Sequence, residues 1–97
     1  SKKNKISMNT ESGELAVSIE KKLKLNVGDI EITMNGESGN ISIECNKYKL
    51  SAQSSIKQES GGMGSLEAEN IQLSANTSLK AKGSGTLSLD GSVVKIG

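Results

Sequence analysis

The sequence lacks most of the residues on which common active sites are built. Among its 97 residues there is no His, Pro, Trp or Phe, and there is one Tyr and one Cys. Without His the commonest general base is missing, and one Cys can form neither an intrachain disulfide nor a Cys-rich zinc site. No apolar run exceeds three residues, so neither a membrane-spanning helix nor a signal-peptide core is predicted.

The charges of the chain are balanced and scattered, and they do not indicate a charged partner. Twelve basic residues balance eleven acidic ones, and no basic block is longer than two residues. Because nucleic acids and anionic membranes select clustered positive charge, neither is predicted as a partner. The length allows one small domain at most.

Apolar and polar residues alternate in short blocks along nearly the whole chain. Alternation with period two predicts strands that bury one face each. No window has the apolar spacing of an amphipathic helix, so the sequence predicts an all-β fold without helices. The blocks are Ile6, Met8; Leu15, Val17, Ile19; Leu23, Leu25, Val27; Ile30, Ile32, Met34; Ile41, Ile43, Cys45; Tyr48, Leu50, Ala52; Leu66, Ala68; Ile71, Leu73, Ala75; Leu79, Ala81; Leu87, Leu89; and Val94, Ile96.

These blocks recur every seven or eight residues, as from Leu15 to Leu23 to Ile30. We interpret this short period as strand, corner and strand wound repeatedly about an axis, because strands joined by hairpins usually need a turn every 8 to 12 residues or so. Gly28-Asp29 is then a predicted corner. The interruption at Asn35-Gly36 is the stronger hairpin candidate.

Strands this short bury few side chains, and the chain offers no second layer to cover them. Three chains wound together would solve this, since their apolar faces would meet on a common axis and the closed ladder would leave no open edge. We therefore predict an intertwined homotrimeric β-helix, a three-sided prism formed by residues 1–97 as a single needle domain. The predicted trimer core is Leu15, Val17, Ile19, Leu23, Leu25, Ile30, Ile32, Ile41, Ile43, Cys45, Leu50, Ile71, Leu73, Leu79, Leu87, Leu89, Val94 and Ile96.

Several segments resemble a known family. The units G-D-I-E-I-T at 28–33, G-N-I-S-I-E at 39–44 and N-I-Q-L-S-A at 70–75, with the closing run at 87–97, are similar to the carboxy-terminal β-helical needle of the central spike in contractile injection machines. That family includes T4-like phage baseplate spikes and the valine-glycine-repeat (VgrG) spikes of type VI secretion. The resemblance covers nearly the whole chain.

The resemblance implies a homotrimeric, membrane-piercing structural protein without enzymatic activity. It is assembled in the cytoplasm and carried on a virion baseplate or secretion-tube tip, from which it meets the target cell envelope. Because no His is present, the iron-tipped apex of one branch of the family is not expected. A separate tip protein of the Pro-Ala-Ala-Arg (PAAR) repeat type would instead dock at the carboxy end, on Ser92, Val93, Val94, Lys95, Ile96 and Gly97. We further expect the chain, which begins at Ser1, to be the carboxy-terminal part of a longer spike protein.

Two residue groups invite a sharper interpretation. Three copies of Cys45 would converge near the trimer axis, but an inward Cys usually acts as a small apolar side chain, so no metal or other cofactor is predicted beyond adventitious ions or water on the axis. Glu67 and Glu69 resemble a catalytic carboxylate pair only in spacing, since no aromatic platform or apolar pocket accompanies them.

A second class of function remains open from the residues. A single-chain β-solenoid or fibre segment of a phage or adhesin could bind carbohydrate or a receptor through its outer face. Such a face usually carries exposed aromatic side chains for stacking on sugars, and Tyr48 is the one aromatic residue here.

Overall fold

The structure, a computed structural model, describes residues 3–97 and is all-β, as predicted. Its five strands are Lys5–Asn9 (β1), Glu14–Ser18 (β2), Lys22–Val27 (β3), Ile30–Asn35 (β4) and Asn40–Glu44 (β5), and no helix occurs in residues 3–97. The strands form two antiparallel sheets, one of order β1-β2 and one of order β3-β4-β5. All of them lie in the first of two units, Ser1–Ile56; the second unit is Lys57–Gly97.

The two-stranded sheet is a hairpin closed by a four-residue loop at 10–13. Its register pairs Ile6 with Val17 and ends at Asn9 opposite Glu14. The Asn9 Oδ1 accepts hydrogen bonds from the backbone N–H groups of Glu11 (3.0 Å) and Ser12 (3.2 Å). An Asn side chain that bonds the backbone two residues ahead stabilises a turn, so the loop is specified locally.

The β3-β4 connection corrects one prediction from the sequence. Gly28-Asp29 is a two-residue hairpin turn, because Val27 pairs antiparallel with Ile30 on either side of it. Gly28 has φ +57° and Asp29 has a negative φ, as in a type II′ turn. A six-residue strand with a two-residue turn fits the eight-residue period, so the short period did not require a corner.

The β4-β5 connection is also a hairpin, as favoured for Asn35-Gly36, although its loop has four residues, 36–39. Asn35 pairs with Asn40 across its base. The Asn35 Oδ1 accepts from the N–H groups of Glu37 (3.0 Å) and Ser38 (3.2 Å). The loop ends on Gly39 at φ +76°, a left-handed conformation that costs glycine little.

The two four-residue loops expose a repeat in the chain. Residues 6–18 align with 32–44 at an offset of 26, with six of thirteen positions identical, including Asn-Xaa-Glu-Ser-Gly in both loops. Gly13 and Gly39 occupy equivalent positions with φ +72° and +76°. The hairpins β1-β2 and β4-β5 are therefore two copies of one structural unit.

The second unit, Lys57–Gly97, contains no strand. Its described hydrogen bonds are local: Ser60 Oγ donates to the Met63 carbonyl at 3.1 Å and accepts from the Gly62 N–H at 3.3 Å. Lys57 and Glu59 form an exposed ion pair of 2.8 Å. The alternating segments of this unit have no ladder partner within residues 3–97.

No residue in the described part of the chain is buried, whether apolar or polar. The two sheets make no strand-to-strand contact with each other, so neither covers the other's apolar face. No helix in residues 3–97 is long and apolar enough to cross a bilayer. A packed core is thus absent from the single chain over this range.

Candidate assembly surface

The three-stranded sheet has one apolar face and one polar face. Cross-strand pairing aligns Leu23 with Met34 and Ile41, and Leu25 with Ile32 and Ile43. Six predicted core residues share the apolar face: Leu23, Leu25, Ile30, Ile32, Ile41 and Ile43. Even so, Ile43 is 51% exposed and Ile41 is 73% exposed, so this face is uncovered in the single chain.

The two-stranded sheet repeats this arrangement on a smaller scale. Leu15 and Val17, both in the predicted core, lie opposite Met8 and Ile6. All four are exposed, Ile6 and Met8 by 73% and 70%. The predicted core omits Ile6, Met8, Val27 and Met34 although the apolar alternation includes them, and the cross-strand register confirms that they lie on the apolar faces.

The opposite face of the larger sheet carries charged and hydrogen-bonding side chains. Lys24 Nζ lies 3.5 Å from Glu31 Oε1, and the Thr33 hydroxyl donates to the same carboxylate oxygen at 3.1 Å. These side chains are suited to water, and exposed ion pairs of this kind add little stability. One face of the sheet therefore carries polar side chains suited to water, and the other carries apolar side chains suited to burial.

The total exposed area shows how much surface lacks a partner. The chain exposes 10189 Å², whereas a compact single-chain protein of its 10.1 kDa exposes roughly 5,300 Å². The excess of about 4,900 Å² matches the upper part of the roughly 2,000–5,000 Å² that large obligate interfaces bury over both partners together. This surface is left uncovered in the single chain.

The predicted core residues beyond β5 are exposed as well. In the second unit, Leu73 is 69% exposed, Leu89 is 72% and Ile96 is 88%. The backbone of these residues is extended and unpaired. If their apolar side chains are covered, the backbone N–H and C=O groups must find hydrogen-bond partners as well. The remaining members beyond β5 are Leu50, Ile71, Leu79, Leu87 and Val94, exposed by 51% to 63%.

The predicted docking residues form the last stretch of the second unit. Ser92, Lys95 and Gly97 are exposed. Val93 and Val94 are 83% and 54% exposed, and Ile96 is 88% exposed. Apolar side chains are thus available at this end of the chain, and the assignment of a tip protein to them stays a prediction.

Cys45 directly follows β5 and is a free, exposed thiol in the single chain. Of the other two predicted core residues outside the strands of the first unit, Ile19 is half-buried and Leu50 is 55% exposed. Residues 3–97 contain no group of three or more His, Cys, Asp or Glu side chains able to hold a metal ion. Glu67 and Glu69 are exposed, and neither lines the surface depression formed by Asn4 and residues 19–22 or the one formed by residues 58–60 and 64–66.

Sequence reasoning overlooked the 26-residue repeat. The repeat is visible in the two Asn-Xaa-Glu-Ser-Gly loops at 9–13 and 35–39. These loops are polar, so a period counted on apolar residues does not include them. The repeat matters because it identifies which strands occupy equivalent positions, and therefore which equivalent positions are empty.

No protein-family model matches the chain, and no curated protein or solved structure matches it either. The assembly surface is therefore interpreted from its own residues and geometry.

Proposed function

We propose that three copies of this chain wind together into a β-helical needle that serves as the membrane-piercing spike of a contractile tail or type VI secretion-like machine. The observation that carries the assembly is the exposed apolar surface, whose alternating pattern continues along both units and which has no cover within residues 3–97. The spike assignment is supported by the family resemblance of the repeated units.

Copies of the chain itself are the best partners for this surface. Both units carry the same alternation, so a second copy offers matching apolar side chains. It also offers backbone N–H and C=O groups that can pair with the unpaired backbone of the second unit. A net charge of +1 per chain means that three copies do not repel one another strongly. Three-fold closure gives each chain one side of a prism and removes exposed strand edges.

The mechanism proposed for such a needle is stiffness. The needle transmits the thrust of a contracting sheath to the target envelope, and a chain intertwined with two others must unthread before it can leave. Resistance to force is then a matter of slow unfolding as much as of equilibrium stability. The absence of Pro supports this, because every backbone N–H is available to a ladder.

The carboxy end is proposed as the platform for a separate tip protein of the PAAR-repeat type. Val93 and Ile96, at 83% and 88% exposure, would present apolar contacts on each of three chains. Three-fold repetition of a small patch yields a surface large enough to hold a partner without a pocket.

The first experiment is the solution mass by light scattering, with SDS electrophoresis of an unboiled sample. The expected result is a mass of three chains and a band that dissociates slowly. A folded monomer would overturn the needle.

A second experiment addresses the tip. Deletion of residues 94–97 is expected to abolish binding to candidate tip proteins while the trimer mass is retained. Substitution of Ser74 by Ala, on a polar position far along the chain, serves as the matched control. Unchanged affinity after the deletion would contradict the docking proposal.

One observation favours a carbohydrate-binding alternative. Tyr48 is 66% exposed in the single chain and could stack on a sugar ring. In a needle Tyr48 would lie on the covered face, so glycan binding that is lost in Tyr48→Ala would support the alternative over the spike.

A further inference from the structure

The 26-residue repeat leaves two complementary positions empty. In the first copy, the hairpin β1-β2 is followed by β3, and β3 pairs with β4, the first strand of the next hairpin. In the second copy, β4-β5 is followed by residues 47–50, Lys-Tyr-Lys-Leu, which match Lys-Leu-Lys-Leu at 22–25 of β3. Residues 47–50 have no strand partner in residues 3–97.

The complementary vacancy is on β1. The strand β4 is paired on both sides, by β3 and by β5, whereas its equivalent β1 is paired by β2 alone. The edge of β1 that corresponds to the β3-binding edge of β4 is open within the described chain. One copy therefore offers a β3-like strand and also an edge built to receive one.

We propose that residues 47–51 of one copy add to β1 of the next copy as an antiparallel strand. This deepens the proposed function and rests on its homotrimer. Residues 47–50 align with 22–25 at an offset of 25, one residue less than the offset between the two hairpins. Transferring the β3-β4 register through these two alignments pairs Tyr48 with Met8 and Leu50 with Ile6, as Leu23 pairs with Met34 and Leu25 with Ile32. In this register the apolar residues of both strands fall on the same face. A slip of one residue would instead place Tyr48 and Leu50 among polar side chains.

The contact is head-to-tail, since the donating strand and the receiving edge are different parts of the chain. A heterologous contact of this kind closes into a ring when its rotation permits. Closure at three copies satisfies every donor strand and every open β1 edge, and it provides three antiparallel joints within the needle.

Two substitutions make the intermolecular joint weaker than its intramolecular counterpart. Lys5 occupies the position of Glu31, so the Lys24–Glu31 ion pair becomes a Lys49–Lys5 diagonal of like charge. Thr10 occupies the position of Gly36, where a Cβ would lie 3.0 Å from the Glu20 carbonyl oxygen and 3.4 Å from that of Lys21. The ladder therefore ends at Lys47 opposite Asn9.

Backbone bonding identifies the best site for a cross-link. The Gly36 N–H donates to the Lys21 carbonyl at 2.7 Å, which makes Lys21 and Gly36 a hydrogen-bonded pair. Counting along the alternating ladder, Lys24 and Thr33 form a non-hydrogen-bonded pair, with Cα atoms about 4.5 Å apart. Their equivalents are Lys49 and Ser7, and this separation suits a disulfide.

The experiment uses the full chain with Cys45→Ser, Ser7→Cys and Lys49→Cys, oxidised with glutathione disulfide. Both new thiols lie on exposed polar positions, so folding should be unaffected. The expected product is a covalent trimer on non-reducing gels, converted to monomer by reductant. The matched control replaces Ser7→Cys with Ala16→Cys; Ala16 lies on β2, one strand further from the joint, and should not cross-link.

The outcomes separate this inference from the proposed function. A trimer mass by light scattering with no cross-link, or with a disulfide inside one chain, overturns the strand addition and leaves the homotrimer standing. A monomer mass overturns both. Equal cross-linking of the Ala16 control also overturns the register.

A second variant tests the joint without cysteine chemistry. Lys5→Glu restores the ion pair seen between Lys24 and Glu31, and it should slow trimer dissociation severalfold at low salt and less at high salt. The matched control is Lys80→Glu, the same charge change on an exposed residue outside the joint. Equal effects from both variants, or none from Lys5→Glu, would contradict the pairing.

Discussion

The two units of this chain meet the needs of a β-backbone in different ways. In the first unit, local turns bring adjacent segments together, so that β3, β4 and β5 pair within one chain. The apolar face of this sheet remains exposed. In the second unit, Lys57–Gly97, the same alternation occurs without any strand. Alternation alone specifies a face, and turn chemistry decides whether the chain can supply its own ladder.

The difference can be traced to particular turns. Gly28-Asp29 and the two Asn-capped loops reverse the chain tightly, and each is followed at once by a strand in matching register. The second unit has Gly-rich stretches, such as 61–64 and 83–85, but these do not lead one alternating segment back along another. Within residues 3–97, its segments thus have neither ladder partners nor a cover for their apolar side chains.

The largest effect should come from a charge on the apolar positions of the second unit. Leu73→Asp is expected to abolish the trimer, because burying an unpaired carboxylate in an apolar interior costs several kcal/mol in each of three chains. Hydrogen exchange should show protection lost across residues 57–97, while amides of β3-β5 keep part of theirs. Ser74→Asp, one position along on the polar parity, should keep the trimer mass. Loss of the trimer in both would break the comparison.

A smaller effect is expected from a cavity in the first unit. Ile43→Ala should lower the free energy of unfolding of the trimer by about 2–4 kcal/mol per chain, since it removes buried methylenes from the assembled face. Ser42→Ala, on the opposite face of β5, should change it by less than about 0.5 kcal/mol. Denaturant unfolding measures both. Equal costs would mean that the face of β5 carrying Ile43 stays exposed in the assembly.

The turn that distinguishes the two units gives a third prediction. Gly28→Ala should destabilise the first unit by about 1 kcal/mol, because Gly28 has φ +57°, a conformation that Ala adopts at a cost. Gly61→Ala is the control, since an added Cβ there meets open space and its φ is not positive. The measurement is the shift in melting temperature. A loss at Gly61 as large as that at Gly28 would argue against turn control of the first unit.

The smallest effect concerns the polar face. Lys24→Ala should cost less than about 0.5 kcal/mol, because the Lys24–Glu31 pair is partly exposed, at 47% and 36%, and screened by salt. The unfolding curves of the wild type and the variant should differ slightly at low salt and coincide at high salt. A cost that persists in high salt would indicate that this face is also covered in the assembly.

Much of the first unit could be predicted from its sequence. The blocks beginning at Leu15, Leu23, Ile30 and Ile41 correspond to β2, β3, β4 and β5, because alternation reports directly which residues share a face. The prediction of a corner at Gly28-Asp29 was wrong for a physical reason. A type II′ turn needs only two residues, so a hairpin with strands of about six residues fits the seven- or eight-residue period.

The assembly surface was predictable in part. Apolar parity placed Met8 and Val27 among the apolar positions, as it did Ile32 and Ile43, although the predicted core omitted Met8 and Val27. Cross-strand register puts Met8 opposite Leu15 and Val27 opposite Ile30, and this register is set by the apolar pattern together with turn geometry. The partner of Leu73 or Leu89 was beyond prediction from a single chain, because nothing in a local pattern fixes which strand of which copy lies beside it.

The hairpins of the first unit also bear on the order in which a needle could be made. Their contacts join residues close in sequence, so they can form within microseconds, whereas pairing between chains waits on encounter and depends on concentration. Synthesis delivers the amino-terminal unit first. In the proposed needle, each nascent chain would therefore present ready-made edges while residues 57–97 are still emerging, and winding would proceed in one direction, from the amino-terminal unit to the carboxy end.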